Sequence, residues 1–328
     1  MIVSLKSDAD ASCVLRELTC RGLWVSRVER GALGGSVHYV IAPNSLPADP
    51  AELSGIDGVL EVTAPLPAHP LVSAQGPVVD VRGVKVGLSE PIFVCGPCSL
   101  ESEQQVGETA AVLAANGVAF IRGGAFKPRT SPYSFQGHGD KALEWVRRAA
   151  DAHGLLVVTE ALGEGHVSAV AEVADLVQVG SRNMQNFSLL KAIGKTGKPV
   201  VLKRGMSSTI DEWLLAGEYL LAHGAKGVIF CERGIRGFDD STRNLLDLGA
   251  VAILRHVHRL PVIVDPSHGA GRRDLVLPLG RAALGAGAVG LMIETHPDPG
   301  RALSDGPQAI PLGELGVMLR QFGQTAVR

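Results

Sequence analysis

A closed (β/α)8 TIM barrel behind a small α+β module is the fold the sequence predicts, on three observations. From Ile92 onward, short continuous apolar runs alternate with amphipathic helical stretches, the pattern of a parallel sheet covered by helices. Eight such units fit into roughly 240 residues, the size of a closed barrel. The residues before position 75 follow a different order, β-α-β-β-α-β, which is that of a ferredoxin-like module.

Each element has its own justification. The barrel strands are expected at Ile92–Cys95, Ala119–Arg122, Leu155–Val158, Leu176–Val179, Val200–Leu202, Val228–Cys231, Val262–Val264 and Val289–Ile293. Helical periodicity lies between them, at Glu103–Asn116, Lys141–His153, Ile210–His223 and Ser241–His256. A doubly wound open sheet is the alternative, but no G-x-G-x-x-G follows the first strand. In the first domain, residues 1–74, "MIVSLK", "LWVSRVER", "SVHYVIA" and "GVLEVTAPL" read as strands, with helices near Ala9–Arg21 and Asp49–Ser54. "PLPAHPLVSAQGP" reads as a linker, and "VVDVRGVKVG" as a hairpin leading into the second domain, residues 75–328.

Composition narrows the function. The chain has 328 residues, 46% of them hydrophobic and 20% charged, so it can bury a large core. A net charge of -2 argues against a nucleic-acid partner bound through bulk electrostatics. No apolar run approaches the ~20 residues needed to span a bilayer, no signal-peptide pattern opens the chain, and five cysteines lack framework spacing. A cytoplasmic protein with no membrane partner is expected.

Chemistry in such a barrel sits at the C-terminal ends of the strands. There the sequence places Cys98, then Arg122 and the loop "KPRTSPYSFQG" with Lys127, Arg129 and Thr130, then Glu160, Arg182, Lys203 with Arg204, Glu232 with Arg233, Asp265 with His268, and Glu294. Pro128 and Pro132 stiffen that loop and exclude a helix interior. The cations Arg122, Lys127, Arg129, Arg182, Lys203 and Arg233 would converge on one cavity, where like charges need an anion to neutralise them. The alternative is pairing with Glu160, Glu232 or Asp265, or extension into solvent. A thiol, an imidazole and two carboxylates (Cys98, His268, Glu294 and Asp305) form a mixed donor set suited to a transition metal, although their spacing alone is weak evidence. Cys95 and Cys98 admit a redox reading, but Cys95 falls inside a strand and no second C-x-x-C exists.

At "CGPCSLES", "IRGGAFKPRTSPYSFQG", "VTEAL", "QVGSRNMQN", "VLKRG", "CERGIR", "VDPSHGAGRRD" and "ETHPDPGRALSDGPQ" the chain resembles the DAHP synthases of the type I beta subclass. The resemblance runs from about Val78 to the C-terminus, and the N-terminal module resembles the domain that some members carry. It implies metal-dependent condensation of phosphoenolpyruvate with erythrose 4-phosphate, opening aromatic amino-acid biosynthesis. It also implies that Arg122, Lys127, Arg182, Lys203 and Arg233 hold phosphoenolpyruvate, and that Arg129 and Thr130 hold the aldose phosphate. Cys98, His268, Glu294 and Asp305 would bind one divalent ion, with Mn2+ expected and Fe2+, Co2+ or Zn2+ as alternatives. Lys127, Glu160 and His268 are the catalytic candidates.

The resemblance also implies a homotetramer with tyrosine or phenylalanine as effector, the alternative being an N-terminal oligomerisation domain with no ligand. Two other readings stay open: KDO-phosphate synthase, which uses arabinose 5-phosphate, and a catalytically silent binding barrel. The first typically has "KANRSS" where this chain has "KPRTS". Departures from the family pattern are small: Ser181 and Cys95 stand where alanine is common.

Overall fold

Val3, Leu5, Tyr39 and Val59 face one core, together with Val14 and Leu18, while alternate strand residues such as Ile2 and Val40 face outward. These residues belong to β1 (Ile2–Leu5), α1 (Ala11–Cys20), β2 (Val25–Glu29), β3 (Val37–Ile41), α2 (Pro50–Ser54) and β4 (Val59–Thr63). The antiparallel sheet runs β2-β3-β1-β4, the strand order of a ferredoxin-like module. Asp10 caps α1 by accepting from the N–H groups of Ser12 and Cys13, and Asp49 caps α2. The Tyr39 hydroxyl, inside this core, donates to the Ala11 carbonyl at 2.7 Å.

The computed structural model describes residues 1–29, 37–65, 68–88, 90–128 and 131–323. They divide into two compact units, Met1–Ala68 and His69–Arg328. The division falls ahead of the boundary read at residue 74, because the linker contains a helix, α3 (Pro70–Ala74), that docks on the second unit. The N–H groups of Leu71 and Val72 donate to the Glu218 carboxylate at 3.0 and 2.9 Å. Gln75 then exchanges two side-chain hydrogen bonds with the backbone of Val228.

A hairpin follows, β5 (Val79–Val81) and β6 (Val84–Val86), turning on Arg82 and Gly83, both with positive φ as a two-residue turn requires. Among the described residues, eight parallel strands then close into a barrel: β7 (Ile92–Gly96), β8 (Phe120–Arg122), β9 (Leu156–Glu160), β10 (Leu176–Val179), β11 (Val200–Lys203), β12 (Val228–Glu232), β13 (Val262–Val264) and β14 (Gly290–His296). Closure is the pairing of β14 with both β7 and β13. The interleaved helices are α4 (Glu103–Ala115), α5 (Asp140–His153), α6 (Val167–Val173), α7 (Phe187–Gly194), α8 (Ile210–Ala222), α9 (Leu248–Ala252), α10 (Pro266–Ala270) and α11 (Val276–Gly285), with α12 (Leu312–Gly323) last.

Strand alternation sorts the core into two layers. Val94, Phe120, Val158, Leu176, Val201, Ile229, Ile263 and Met292 fill the barrel interior, joined by Val79, Val81 and Val86 of the hairpin. Cys95, Ile121, Val157, Val177, Leu202, Phe230 and Ile293 point the other way, into the layer shared with the helices. One expected helix is shorter than its periodicity suggests. Residues 241–247 of the Ser241–His256 stretch form a loop, held by a bridge between Ile235 and Leu245 and by bonds from the N–H groups of Arg243 and Asn244 to the 269–270 backbone. Asp247, capping the Ala250 N–H, starts the helix instead.

Candidate active site

Two residues beyond six of the eight interior apolar side chains, the same alternation delivers a polar one to the C-terminal mouth of the barrel. Phe120 leads to Arg122, Val158 to Glu160, Leu176 to Gln178, Val201 to Lys203, Ile263 to Asp265, and Met292 to Glu294. A cavity of about 410 Å³ opens there, lined among others by Arg122, Lys127, Glu160, Arg182, Lys203, Arg233, His268 and Asp305. Every substrate-binding candidate among the described residues therefore lies on one surface. Arg129 and Thr130 lie outside the described residues, directly after the cavity-lining Pro128.

Cys98, His268, Glu294 and Asp305 come together as well, with one donor atom of each lying within 4.8 Å of the others. They arrive from four places: the turn after β7, the short helix α10, the interior of β14, and a loop where Asp305 adopts a left-handed conformation, φ 50°. Asp265 caps α10 by accepting the His268 N–H at 2.9 Å, and it also receives His268 Nδ1 at 2.7 Å and the Lys203 ammonium. Burial alone would raise the Asp265 carboxyl, but His268 and Lys203 hold it well below the usual carboxylate range. An ionised carboxylate only accepts, so Nδ1 carries the hydrogen. Burial pushes the imidazole toward its neutral form, against the pull of Asp265 and Glu294.

Nε2 is then a lone pair facing Glu294 Oε1 at 3.2 Å and Asp305 Oδ2 at 3.8 Å. Burial pushes the Cys98 thiol up, Glu294 adds to that, and Lys127 opposes it; the thiol donates to Asp305 Oδ2 at 3.2 Å. Acceptors converging on acceptors, with a thiol beside them, fit a divalent transition-metal ion, which would also draw the proton off the sulfur.

The cations divide into two sorts. Lys203 pairs with Asp265, Arg122 with Glu294 at 2.8 Å, and Arg204 with Glu232 and Asp247, so pairing answers part of the charge. Yet Arg122 Nε and Arg233 Nη1 are buried without a hydrogen-bond partner among the described residues. Burial lowers the Arg233 guanidinium below its usual value, as expected of a desolvated charge that its neighbours do not fully neutralise. Lys127 sits with Nζ 3.1 Å from Cys98 Sγ and 3.0 Å from the Cys98 carbonyl, so it spans the cation-lined cavity and the thiol group. Gly124 makes room for it: a Cβ there would lie 3.1 Å from Nζ.

Glu160 accepts from Gln178 at 3.1 Å and shares the cavity with Lys203, which pairs with Asp265 instead. Sequence reasoning passed over Arg236, Arg243, Asn244 and Gln178. The first three come from the loop after β12, which was read partly as helix, and Gln178 is hidden inside an apolar strand. Cys95 belongs to the helix-facing layer and is free, as are the other four cysteines. Its thiol is pushed up to about 12 by burial, which leaves it inert as a partner for Cys98.

A (β/α)8 barrel whose mouth holds a basic cavity beside a mixed thiol, imidazole and carboxylate group has the build of an enzyme acting on anions, with donors suited to a divalent metal. The chain belongs to the DAHP synthetase I family, whose profile matches residues 71–328. It is 49% identical over 288 residues to a phospho-2-dehydro-3-deoxyheptonate aldolase of Thermotoga maritima, covering 86% of this chain and 83% of that one. A crystal structure of a DAHP synthase from Thermotoga maritima superimposes with a TM-score of 0.78 at 42% identity, covering 99% of this chain and 96% of that one. More distant is a 2-dehydro-3-deoxyphosphooctonate aldolase of Acidithiobacillus ferrooxidans, 34% identical over 258 residues, covering 73% and 90%. No helix among the described residues is long and apolar enough to cross a membrane.

Proposed function

We propose that this protein condenses phosphoenolpyruvate with erythrose 4-phosphate and water, giving 3-deoxy-D-arabino-heptulosonate 7-phosphate and phosphate, the entry step to aromatic amino acids. The observation that carries this reading is the cavity lined by Arg122, Lys127, Arg182, Lys203 and Arg233, where Arg122 Nε and Arg233 Nη1 are buried without a partner among the described residues. An orphaned buried donor costs about 1–3 kcal/mol, and an anionic substrate would satisfy both donors at once. Arg122, Lys127, Arg182, Lys203 and Arg233 hold the phosphate and carboxylate of phosphoenolpyruvate. Arg129 and Thr130 hold the aldose phosphate.

Cys98, His268, Glu294 and Asp305 would hold a divalent ion, with Mn2+ expected ahead of Fe2+, Co2+ and Zn2+, and that ion would supply a Lewis acid for the aldehyde oxygen. The enol carbon attacks that aldehyde and forms the new carbon–carbon bond. Lys127 donates a proton to the alkoxide so formed, from a position next to Cys98. Carbon 2 of the former enol is now electron-poor and accepts water, while Glu160 takes the proton of that water. Collapse of the resulting hemiketal phosphate expels inorganic phosphate and leaves the ketone. His268, tied to Asp265, keeps its tautomer throughout.

The first unit is assigned an oligomerisation and regulatory role, in a homotetramer that responds to tyrosine or phenylalanine. Ile2, Val28 and Val40, all exposed on its sheet, are consistent with a face that meets another surface. The test of the catalytic reading is release of phosphate from phosphoenolpyruvate by the purified chain, with the seven-carbon product identified by mass. Release that requires erythrose 4-phosphate supports it. Release that requires arabinose 5-phosphate assigns the chain to the eight-carbon reaction instead, and no release with either aldose supports a silent barrel.

A further inference from the structure

Gln308 is 2% exposed and belongs to none of the groups discussed so far. Its Nε2 donates to Glu294 Oε2 at 2.5 Å, and its Oε1 accepts from Arg243 Nη1 at 3.1 Å. The same Arg243 nitrogen lies 3.3 Å from Asp305 Oδ1. The orientation of the amide follows from its neighbours, since a carboxylate only accepts and a guanidinium only donates. We propose that Gln308 is a positioning residue for the metal-binding group. It holds Glu294 directly and Asp305 through Arg243, so that the two carboxylates keep their spacing before an ion arrives. This rests on the reading of Cys98, His268, Glu294 and Asp305 as metal ligands.

Two carboxylates this close repel, and without a brace they would separate until an ion drew them together. Glu294 is braced on both oxygens, Oε1 by Arg122 and Oε2 by Gln308. Asp305 sits in a loop at φ 50°, with its Oδ2 on the Cys98 thiol and its Oδ1 on Arg243, the cation that Gln308 holds. A neutral amide of this length can at once donate to one carboxylate and accept from the cation on the other. Asparagine has the chemistry but is one methylene short. A carboxylate at position 308 would repel Glu294, and a methionine would fill the space and do neither.

The test is metal binding by the full-length chain, stripped of metal and titrated with Mn2+ or Co2+ alone, without substrates. For Gln308→Met and Gln308→Asn we expect both affinities to fall by about 10–100-fold, the usual loss for an outer partner of a ligand. The thiolate-to-Co2+ absorption band should persist but shift. If methionine overpacks the site, Gln308→Ala is read in its place. The melting temperature of the metal-free form reports whether each variant is folded. Wild-type affinity and an unchanged Co2+ spectrum in the variants would overturn the proposal, as would rescue by asparagine, which points to polar filling, or failure of every variant to fold, which assigns Gln308 to the framework. Failure of the wild type to bind metal, or binding that survives loss of Cys98, overturns the underlying metal reading instead.

Discussion

Adding one methyl group at Gly180 should disable Glu160 without touching its chemistry. Gly180 follows β10 with φ -73°, a conformation open to any residue, so alanine brings no backbone strain. Its new Cβ would, however, stand 2.1 Å from Glu160 Oε1, where ordinary contact begins at 3.4 Å. The carboxylate must therefore retreat by more than about 1 Å, and in doing so it loosens its hydrogen bond from Gln178. Because the clashing atom is the end of a flexible side chain, the stability cost stays near the ~0.5–1.5 kcal/mol of an off-rotamer torsion. Turnover is far more sensitive, since a misplacement of 1 Å costs on the order of 100-fold, about 2.7 kcal/mol of barrier. Gly180→Ala should thus melt within a few degrees of the wild type, bind phosphoenolpyruvate, and release phosphate about 100-fold more slowly. Glu160→Gln should match or exceed that loss. A folded Gly180→Ala variant with wild-type kcat would refute a role for Glu160 in the water step.

Three more outcomes follow from the same geometry. Cys98→Ser should weaken Mn2+ and Co2+ binding by more than the ~10–100-fold typical of an outer partner and abolish the thiolate-to-Co2+ band; full activity in excess chelator would contradict it. Arg233→Met should reduce affinity for phosphoenolpyruvate at least tenfold, as removal of a charge-assisted contact worth ~1.5–3 kcal/mol implies. In the wild type, phosphoenolpyruvate at 100 times its Kd should add about 2.7 kcal/mol to stability, read as a higher melting temperature, and a variant bound tenfold more weakly should gain only about 1.4 kcal/mol at the same concentration. Asp175→Asn should cost about 3 kcal/mol at pH 7, because buried Asp175 accepts from Arg82, from Arg147 and from the Val157 N–H. Burial would raise its carboxyl, but those three partners hold it below the usual value, so its contribution is present above about pH 4 and lost on further acidification. The difference between wild type and variant, followed by denaturant unfolding, should shrink below that pH; a constant difference would contradict the assignment.

Barrel strands were legible because a strand buried on both faces is apolar throughout: β7 to β13 lie within a residue or two of the runs read from sequence, and β14 runs three residues further than its run, to His296. The functional ends were legible for the same reason: an ionisable residue at the edge of an apolar run stands out, as Arg122, Lys203 and Glu294 do. Gln178, a polar side chain inside such a run, was masked by Val177 and Val179. The loop after β12 was misread because Leu245, Leu246 and Leu248 keep a near-helical spacing, while the bonds that hold residues 241–247 out of a helix are tertiary, from the 269–270 backbone and Ile235. Tertiary ties of this kind have no local signal. For the same reason neither the Gln308 amide nor Arg243 could be placed beside Glu294 and Asp305 from sequence. The convergence of Cys98, His268, Glu294 and Asp305 was legible only through their motifs, since Cys98 and Asp305 stand 207 residues apart.

The most direct measurement is turnover with erythrose 4-phosphate and with arabinose 5-phosphate in parallel, each with and without a chelator, on the full-length protein. Phosphate should be released from phosphoenolpyruvate with the four-carbon aldose, not with the five-carbon one, and release should stop when the metal is removed and return when Mn2+ is restored. Preference for arabinose 5-phosphate, or undiminished turnover in the chelator, would contradict the account.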